Sequence, residues 1–251
     1  MGIATTLALA LGPLAGMWLV VWGGHGWVFG VSAALAVGAT LLTLAQSETL
    51  REPAAVPLRW ASAFSPEVLY PSAVTLGLMV TYGTVSAYLP LRAAAAGQNV
   101  GLFFSVMALG IIVTRGTVGG LSDRVGRPPV AAAGAAAVAA AMAVIATGEG
   151  PGRLVLGGAL YGLGHGVAQP SLMAWCVDRA DVRARGRAMG TLYTALELGI
   201  AAGSIGAGWV VAWSGYRAVF LLGAGSAAAA ALLALARVAL DRRGSRLWSR
   251  G

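Results

Sequence analysis

Eight long apolar runs follow one another along this chain, with short polar gaps between them. A helix needs about 20 mostly apolar residues to cross the hydrocarbon core of a membrane. The runs occupy residues 3–22, 27–46, 68–91, 99–119, 129–147, 152–177, 186–213 and 216–238. We therefore predict an all-α integral membrane protein with eight transmembrane helices.

The composition excludes an ordinary soluble domain. Hydrophobic residues make up 58% of the 251 positions and charged residues only 10%, whereas a soluble domain has about 25% charged residues. One soluble core of this size could not bury so much apolar surface. The net charge of +8 results from 17 arginines against nine acidic residues. The arginines lie in the gaps between apolar runs or near the ends of the runs, which is typical of membrane topology, so we predict no nucleic-acid partner.

The arginines also predict an orientation. Fourteen of them fall on one side of the predicted bundle, and only Arg92, Arg153 and Arg217 fall on the other. Because short cytoplasmic loops are enriched in basic residues, the arginine-rich side is predicted to face the cytoplasm. Residues 47–67 are then a cytoplasmic linker and residues 241–251 a cytoplasmic C-terminal tail of a multi-pass plasma-membrane protein.

Two parts of the sequence match each other without gaps, so that equivalent residues are always the same number of positions apart. We call this constant separation the repeat interval. The first copy contains Gly12, Trp18, Trp22, Gly24 and Phe29, and the second contains, in the same order, Gly203, Trp209, Trp213, Gly215 and Phe220. An interval of six helices preserves direction across the membrane and so makes a parallel repeat. We therefore predict that residues 68–240 form a complete six-helix half and that residues 1–46 are the last two helices of another half.

A charged segment at residues 119–127, the signature segment, separates the fourth and fifth apolar runs. Its sequence Gly-Gly-Leu-Ser-Asp-Arg-Val-Gly-Arg resembles the signature loop of the major facilitator superfamily, Gly-x-Leu-x-Asp-Arg-x-Gly-Arg-(Arg or Lys), which follows the second helix of a six-helix half. Pro128 departs from the pattern, because a basic residue is usual there. The matching positions are Gly119, Leu121, Asp123, Arg124, Gly126 and Arg127.

Each residue type in the signature segment suits a loop at a membrane surface. Gly119 and Gly126 permit close packing and a turn, and Asp123 can accept hydrogen bonds from amides at a helix N-terminus. Arg124 and Arg127 can pair with acids or with lipid phosphates. The alternative is an ordinary charged turn on the cytoplasmic side.

Further motifs are similar to those of drug and metallophore exporters in the same superfamily. They are Asn-Val-Gly-Leu-Phe-Phe from residue 99, Tyr-Gly-Leu-Gly-His-Gly-Val-Ala-Gln-Pro from residue 161, Arg-Gly-Arg-Ala-Met-Gly from residue 185 and Ala-Leu-Glu-Leu-Gly-Ile from residue 195. The resemblance implies a partial major facilitator fold and a proton-coupled antiporter that exports a small molecule by alternating access. It implies a small-molecule substrate, protons and the lipid bilayer as partners, and no cofactor.

Two ionisable residues fall deep inside predicted helices. Glu197 lies about 15 Å along its helix from Arg187, and intramembrane acids usually mark a functional site. Burial favours its neutral form, so that it could bind and release a coupling proton. His165 lies at similar depth, and a histidine side chain suits a proton relay. The alternatives are a protonated Glu197 bonded to a neighbouring helix and a hydrogen-bonded packing role for His165.

A substrate cavity is predicted from polar and polarisable side chains near these two residues. Aromatic and methionine side chains can line an adaptable apolar cavity, and an amide can contact a polar substrate. The candidates are Tyr82, Tyr88, Phe103, Phe104, Met107, Gln169 and Tyr193. Lipid contact or simple packing is the alternative for each aromatic residue.

The sequence contains no P-loop, zinc spacing, nucleophile elbow or carboxylate pair, so neither an enzyme nor an ATP-driven pump is predicted. The first four helices of one half are not found in residues 1–251, and we expect an N-terminally truncated transporter. Two alternatives stay open, a non-transporting scaffold or regulatory membrane protein, and one part of a split transporter completed by a missing four-helix segment.

Overall fold

The computed structural model describes residues 3–46, 64–115 and 118–248, and every regular element in these ranges is helical. Contacts within the chain divide it into two units, Met1–Pro57 and Leu58–Gly251. Short 3₁₀ turns lie at Pro66–Val68 and Val182–Ala184. The helices are α1 (Ile3–Leu44), α2 (Leu69–Ala95), α3 (Gly101–Arg115), α4 (Val118–Val125), α5 (Arg127–Ala146), α6 (Pro151–Arg179) and α7 (Arg185–Trp248).

Glycine and proline define where α5 and α6 begin. Gly126 and Gly150 precede these helices with φ values of 100° and 129°. Residues with a Cβ rarely adopt such positive backbone φ angles. A proline follows in the first turn of each helix, where its missing N–H would have no intrahelical partner.

Several helices are long and apolar enough to cross a membrane. Among the described residues they are Trp18–Leu44, Pro66–Ala95, Arg127–Ala146 and Arg185–Leu240, and a fifth span results if Gly101–Thr114 and Val118–Val125 form one span bent by 59°. The helix α6 is long enough at 29 residues but is less apolar than these helices. The chain is therefore a multi-pass membrane protein, whereas the count of eight helices stays a prediction.

The longest helix, α7, reverses direction at Gly215, where φ is 73° and ψ is 177°. In the first arm, residues 185–214, Gly199 packs on the Leu76 carbonyl, and the Ser204 carbonyl accepts a bond from the Tyr88 hydroxyl at 3.0 Å. The first arm therefore runs parallel to α2.

In the second arm of α7, residues 216–248, contacts with α2 run the other way. Phe220 lies under Arg92, and Arg237 lies over Tyr70. Ser226 donates to the Gly77 carbonyl at 2.8 Å, between these two contacts. As residue numbers increase along the second arm, its contacts lie at decreasing residue numbers in α2, so the second arm runs antiparallel to α2 and α7 is a helical hairpin. The 64 residues of α7 therefore contain two of the predicted membrane helices.

The helix of the first unit, α1, contains the same break. Gly24 has φ 76° and ψ −176°, and it is the residue that the repeat interval pairs with Gly215. This combination of angles is essentially restricted to glycine. The repeat seen in the sequence is therefore also a repeat of backbone conformation.

Glycines form the seams of the second unit. A Cβ on Gly134 of α5 would lie 2.6 Å from the Gly164 carbonyl oxygen of α6, and one on Gly158 would lie equally close to the Phe103 carbonyl of α3. Small residues allow membrane helices to approach this closely. The core, including Leu78, Val138 and Tyr161, is thereby enclosed by α2, α3, α5, α6 and α7.

Three predicted segments, the signature segment, the linker and the C-terminal tail, need separate comparison with the structure. The signature segment was expected to be a loop, but residues 118–125 form α4, because only Gly126 has a backbone conformation incompatible with a helix. Most of the predicted linker, residues 47–63, lies outside the described residues. The predicted tail continues the helix of α7 as far as Trp248.

Candidate functional site

The signature segment ends in a three-residue charge cluster. The Arg127 guanidinium contacts Asp123 through Nη1 at 2.6 Å and donates from Nε to Asp178 Oδ2 at 2.9 Å. Asp178 lies at the C-terminal end of α6, so Arg127 joins the α4–α5 junction to α6. We call this side of the unit the signature end.

Asp178 completes the cluster from the end of α6, and Asp123 makes a contact other than the one suggested by the sequence. Asp123 was expected to accept bonds from helix amides, but it pairs with the side chain of Arg127 because the two residues are four apart across the start of α5. Sequence spacing alone could not show that Asp178, 51 residues away, completes the cluster.

Among the other signature residues, one forms a turn and the rest lie on an exposed part of α4. Gly126 has φ 100° and makes the turn that was predicted for it. Leu121 and Arg124 are exposed, and among the described residues a Cβ built on Gly119 would meet no heavy atom within 4 Å beyond its chain neighbours and the nearby backbone of its own helix. The close packing expected at Gly119 is therefore not found in the described part of the chain.

An aromatic junction joins α2 to α6 near the middle of both helices. The His165 ring lies against the rings of Tyr82 and Tyr161, at centroid distances of 6.0 and 5.9 Å. Tyr161 is fully buried, and its hydroxyl lies 2.9 Å from Thr81 Oγ1. Because the Thr81 hydroxyl donates to the Leu78 carbonyl at 2.6 Å, Tyr161 donates to Thr81.

Glu197 occupies a different side of α2 from this junction. Tyr82 contacts α6, while the next residue, Gly83, packs against the backbone of Ile200 in the first arm of α7. Glu197 precedes Ile200 by less than one turn, and its side chain is exposed. Residues of α2 therefore lie between the two ionisable candidates, and the structure does not bring His165 and Glu197 together.

The predicted cavity residues separate into two groups. Tyr82, Phe104 and Met107 are half-buried beside the aromatic junction, and Phe103 is buried there with its edge against Tyr161. Elsewhere, Tyr88 packs against α7. The remaining candidates, Gln169 and Tyr193, are both half-buried. The Oε1 atom of Gln169 is buried and has no hydrogen-bond partner among the described residues. Tyr193 lies in the first arm of α7.

Two open hollows on the described surface do not coincide with these residues. One of about 630 Å³ lies against Trp209 and Trp213, and one of about 510 Å³ lies against Trp27 and Gly30. Both are open hollows on apolar helix surfaces near the glycine breaks. They suit lipid chains better than an oriented substrate, so we base the candidate site on the aromatic junction and on Glu197.

Sequence reasoning missed a clamp at the end of the second unit opposite the signature end. Arg92, whose side chain is 11% exposed, donates to the carbonyls of Ile145 at 2.6 Å and Gly148 at 2.8 Å and lies 3.8 Å from Glu149. Its guanidinium also lies over the Phe220 ring at 5.4 Å. Arg92 thus joins α2, the end of α5 and α7, a role that counting basic residues for topology could not reveal.

Comparison with known families agrees with the resemblance read from the signature segment. The family model for the Major Facilitator Superfamily matches residues 94–248, a range that contains the signature segment, His165 and Glu197. No curated protein matches the chain.

Proposed function

Since this chain belongs to the Major Facilitator Superfamily, whose members are membrane transporters, we propose that it carries out proton-coupled export of a small, drug-like or metallophore-like molecule across the plasma membrane. Export would proceed by alternating access, with the signature end in the cytoplasm. The substrate class, the coupling to protons and the direction of transport are all part of this proposal.

The observation that carries the proposal is the pair of ionisable residues on either side of α2. His165 stacks against Tyr82 on the α6 side, and Glu197 projects from the first arm of α7 without being covered. An exposed carboxyl at membrane depth is costly unless it faces water or protein. Glu197 would therefore face the substrate path, and His165 would relay protons within the helix bundle.

The aromatic junction supplies the apolar part of the proposed site. Tyr82, Phe104 and Met107 present ring faces and a thioether at the edge of the core, which can adapt to apolar molecules of different shape. Gln169, one turn from His165 on α6, adds an amide for a polar substrate group. The Arg127 cluster would hold the signature end together while the site changes its access.

A vesicle assay tests the coupling. The complete protein is placed in inverted membrane vesicles, a proton gradient is imposed, and accumulation of ethidium, a fluorescent drug-like cation, is followed. We expect gradient-dependent accumulation in the parent protein, and Glu197→Gln is expected to reduce it at least tenfold. Glu67→Gln, which changes an acid at the signature end of α2, is the matched control and is expected to retain the gradient response.

The two coupling residues can be separated in the same assay. His165→Asn is expected to weaken the response to the gradient while leaving downhill ethidium movement intact. A Glu197→Gln variant with the full proton dependence of the parent protein would rule out coupling through this carboxyl. If both variants retained it, the proposed site would be wrong even though the family assignment stands.

A second candidate function follows from the exposed first unit. In α1, the stretch 18–44 has no buried position, whereas its repeat in α7 packs against α2 and α5. We propose as the alternative that the chain is one component of a split transporter or a scaffold that binds another membrane protein. Ethidium accumulation by this protein in vesicles that contain no other membrane protein would exclude both.

A further inference from the structure

A short segment before α2 is fastened to the first arm of α7. The Ser65 backbone N–H donates to Thr191 Oγ1 at 3.0 Å, and both residues are buried. The Ser65 hydroxyl donates within the segment, to Glu67 Oε2 at 2.6 Å, and the 3₁₀ turn Pro66–Val68 follows Ser65 directly. We call residues 65–68 the strap. Its hydrogen bond to Thr191 joins two residues that are 126 positions apart in the chain.

The strap packs on a small hydrophobic cluster, the junction cluster, which is separate from the main core. Val68 of the strap is buried there with three residues of α6 and α7, namely Cys176, Ala188 and Leu192. All four are at most 1% exposed, and Cys176 Sγ lies 3.5 Å from the Ala188 carbonyl oxygen. The strap thus closes the junction at which α6 ends and α7 begins.

The junction cluster lies at the signature end, beside the helix that bears one of the candidate coupling residues. Cys176 precedes Asp178 of the charge cluster by two residues. Leu192 precedes Glu197 on the first arm of α7 by five residues, which is about 8 Å along a helix. The strap therefore covers the stretch of the first arm that leads to Glu197.

The size and the fastening of the junction cluster make it easier to open than the main core. Among the described residues it has four buried members, whereas the main core is shared by α2, α3, α5, α6 and α7. Proteins open locally where few apolar contacts are buried. One neutral hydrogen bond changes an equilibrium constant by about fivefold. Local opening of the strap is therefore expected while the main core stays intact.

We propose that the strap is a gate for water at the signature end of the second unit, closed in this structure and able to open while the rest of the unit stays folded. Opening breaks the hydrogen bond between Ser65 and Thr191. It also lifts Val68 from the junction cluster and lets water reach Cys176. The closed strap holds the beginning of the first arm of α7 in place. The gate operates within the second unit and does not require that Glu197 binds protons.

The single thiol of the chain, Cys176, reports whether the strap opens. The full chain is placed in lipid nanodiscs and reacted with a charged, water-soluble maleimide, and the adduct is followed by mass spectrometry of the intact protein. The same reaction in sodium dodecyl sulfate gives the rate for the unprotected thiol. We expect the parent chain in nanodiscs to be labelled completely but more slowly than the denatured chain.

Two threonines about one turn apart provide the first matched pair. Thr191→Val removes the acceptor of the Ser65 N–H and is expected to speed labelling about fivefold, the effect of one lost hydrogen bond on an opening equilibrium. Both threonine hydroxyls donate to their own helix, so Thr194→Val, at an exposed position, controls for the loss of that bond and should leave the rate unchanged. Thr191→Ser keeps the acceptor oxygen and should be labelled like the parent chain.

Two fully buried valines distinguish local opening from global unfolding and keep the test valid if Thr191→Val does not fold. Val68→Ala removes two methyl groups from the junction cluster and is expected to speed labelling about tenfold. Val74→Ala removes the same groups from the main core, so it weakens the fold without loosening the strap and should leave the rate unchanged.

Several results would overturn the proposal. In one, the parent chain stays unlabelled overnight or is labelled as fast as the denatured chain, so that the strap either does not open or does not close. In another, a folded Thr191→Val or Val68→Ala variant fails to speed labelling. In the last, Thr194→Val or Val74→Ala speeds labelling as much as its partner, because Cys176 would then be reached by general loosening or by global unfolding.

Discussion

The part of α1 that follows Gly24 and the second arm of α7 carry the same repeated sequence, yet the helix face that α7 buries is exposed in α1. Both copies of the repeat break at a glycine with nearly the same angles, Gly24 at φ 76° and Gly215 at φ 73°. Backbone conformation is thus set locally by the residue at the break. Burial is set by the neighbouring helices, which α7 finds in α2 and α5.

The largest expected difference between the copies is at the paired phenylalanines. Phe220→Ala should lower the free energy of unfolding by about 3–5 kcal/mol, because it leaves a cavity in a packed core. Phe29→Ala in the chain alone should change it by less than about 0.5 kcal/mol, because the side chain has few contacts to lose. Denaturant unfolding of the purified chain in lipid nanodiscs measures both. Equal effects would show that the two copies are packed alike.

Glycines in the two hairpins should also respond unequally to a larger side chain. Gly203→Val places a Cβ against the backbone of Val80 in α2, and overpacking of this kind destabilises by about 1–3 kcal/mol or more. Gly38→Val in α1 meets no heavy atom of the described residues within 4 Å of the new Cβ, so its effect should be small. The yield of monodisperse protein and its melting temperature provide the readout.

The glycine breaks, by contrast, should respond equally. Alanine at Gly24 or Gly215 would be forced into a backbone region that is essentially restricted to glycine, which costs about 1–3 kcal/mol. The same destabilisation is therefore expected for Gly24→Ala and Gly215→Ala in thermal melts of the purified chain. A large effect at Gly215 alone would mean that tertiary packing, rather than the local sequence, imposes the break.

The hydrogen bonds of Arg92, which lies over Phe220, should contribute measurably to stability. Arg92→Lys keeps the charge but cannot bond the carbonyls of Ile145 and Gly148 with one planar group, and the loss should be about 1–2 kcal/mol. Arg217→Lys, at an exposed arginine of the second arm, is the matched control and should be neutral. If both substitutions were equally mild in the unfolding assay, the hydrogen bonds of Arg92 would be dispensable.

The smallest effect is expected at the signature end. Asp178→Asn weakens a contact whose partners are 53% and 23% exposed, and surface ion pairs contribute about 0–1 kcal/mol. The stability change should therefore be slight and should diminish in high salt. A double-mutant cycle with Arg127→Gln measures the coupling, and a coupling well above about 1 kcal/mol would show that the cluster is better shielded than its exposure indicates.

Patterns with a strict spacing were readily interpreted from the sequence. Apolar run length predicted an all-helical membrane protein, and the signature segment predicted the superfamily that the comparison with known families shows. The repeat predicted two matching helix pairs, and Gly24 and Gly215 now show the same conformation at both. In each case the information lies in neighbouring residues or in a fixed interval.

Contacts between residues that are far apart in the chain could not be predicted from the sequence. Arg92 was counted only as a basic residue outside the cytoplasm, because nothing in its neighbourhood indicates that it caps α5 through the carbonyl of Ile145, far along the chain. Tyr161 was noted only within a motif, and its bond to Thr81 joins two helices that are distant in the sequence. The roles proposed for Glu197 and His165 remain predictions, because protonation and transport are properties of a working cycle.

The most direct test of the repeat is the distance between the two arms of α7. Spin labels are attached at Leu198 and Leu232, both exposed, in a Cys176→Ala background, and pulsed electron resonance measures their separation in nanodiscs. A hairpin places both arms beside Leu76 and Gly77 of α2, and helix packing distances then predict about 20–30 Å between the labels. One continuous helix would separate the two labelled positions by about 50 Å, and that result would contradict the hairpin and the packing of both arms against α2.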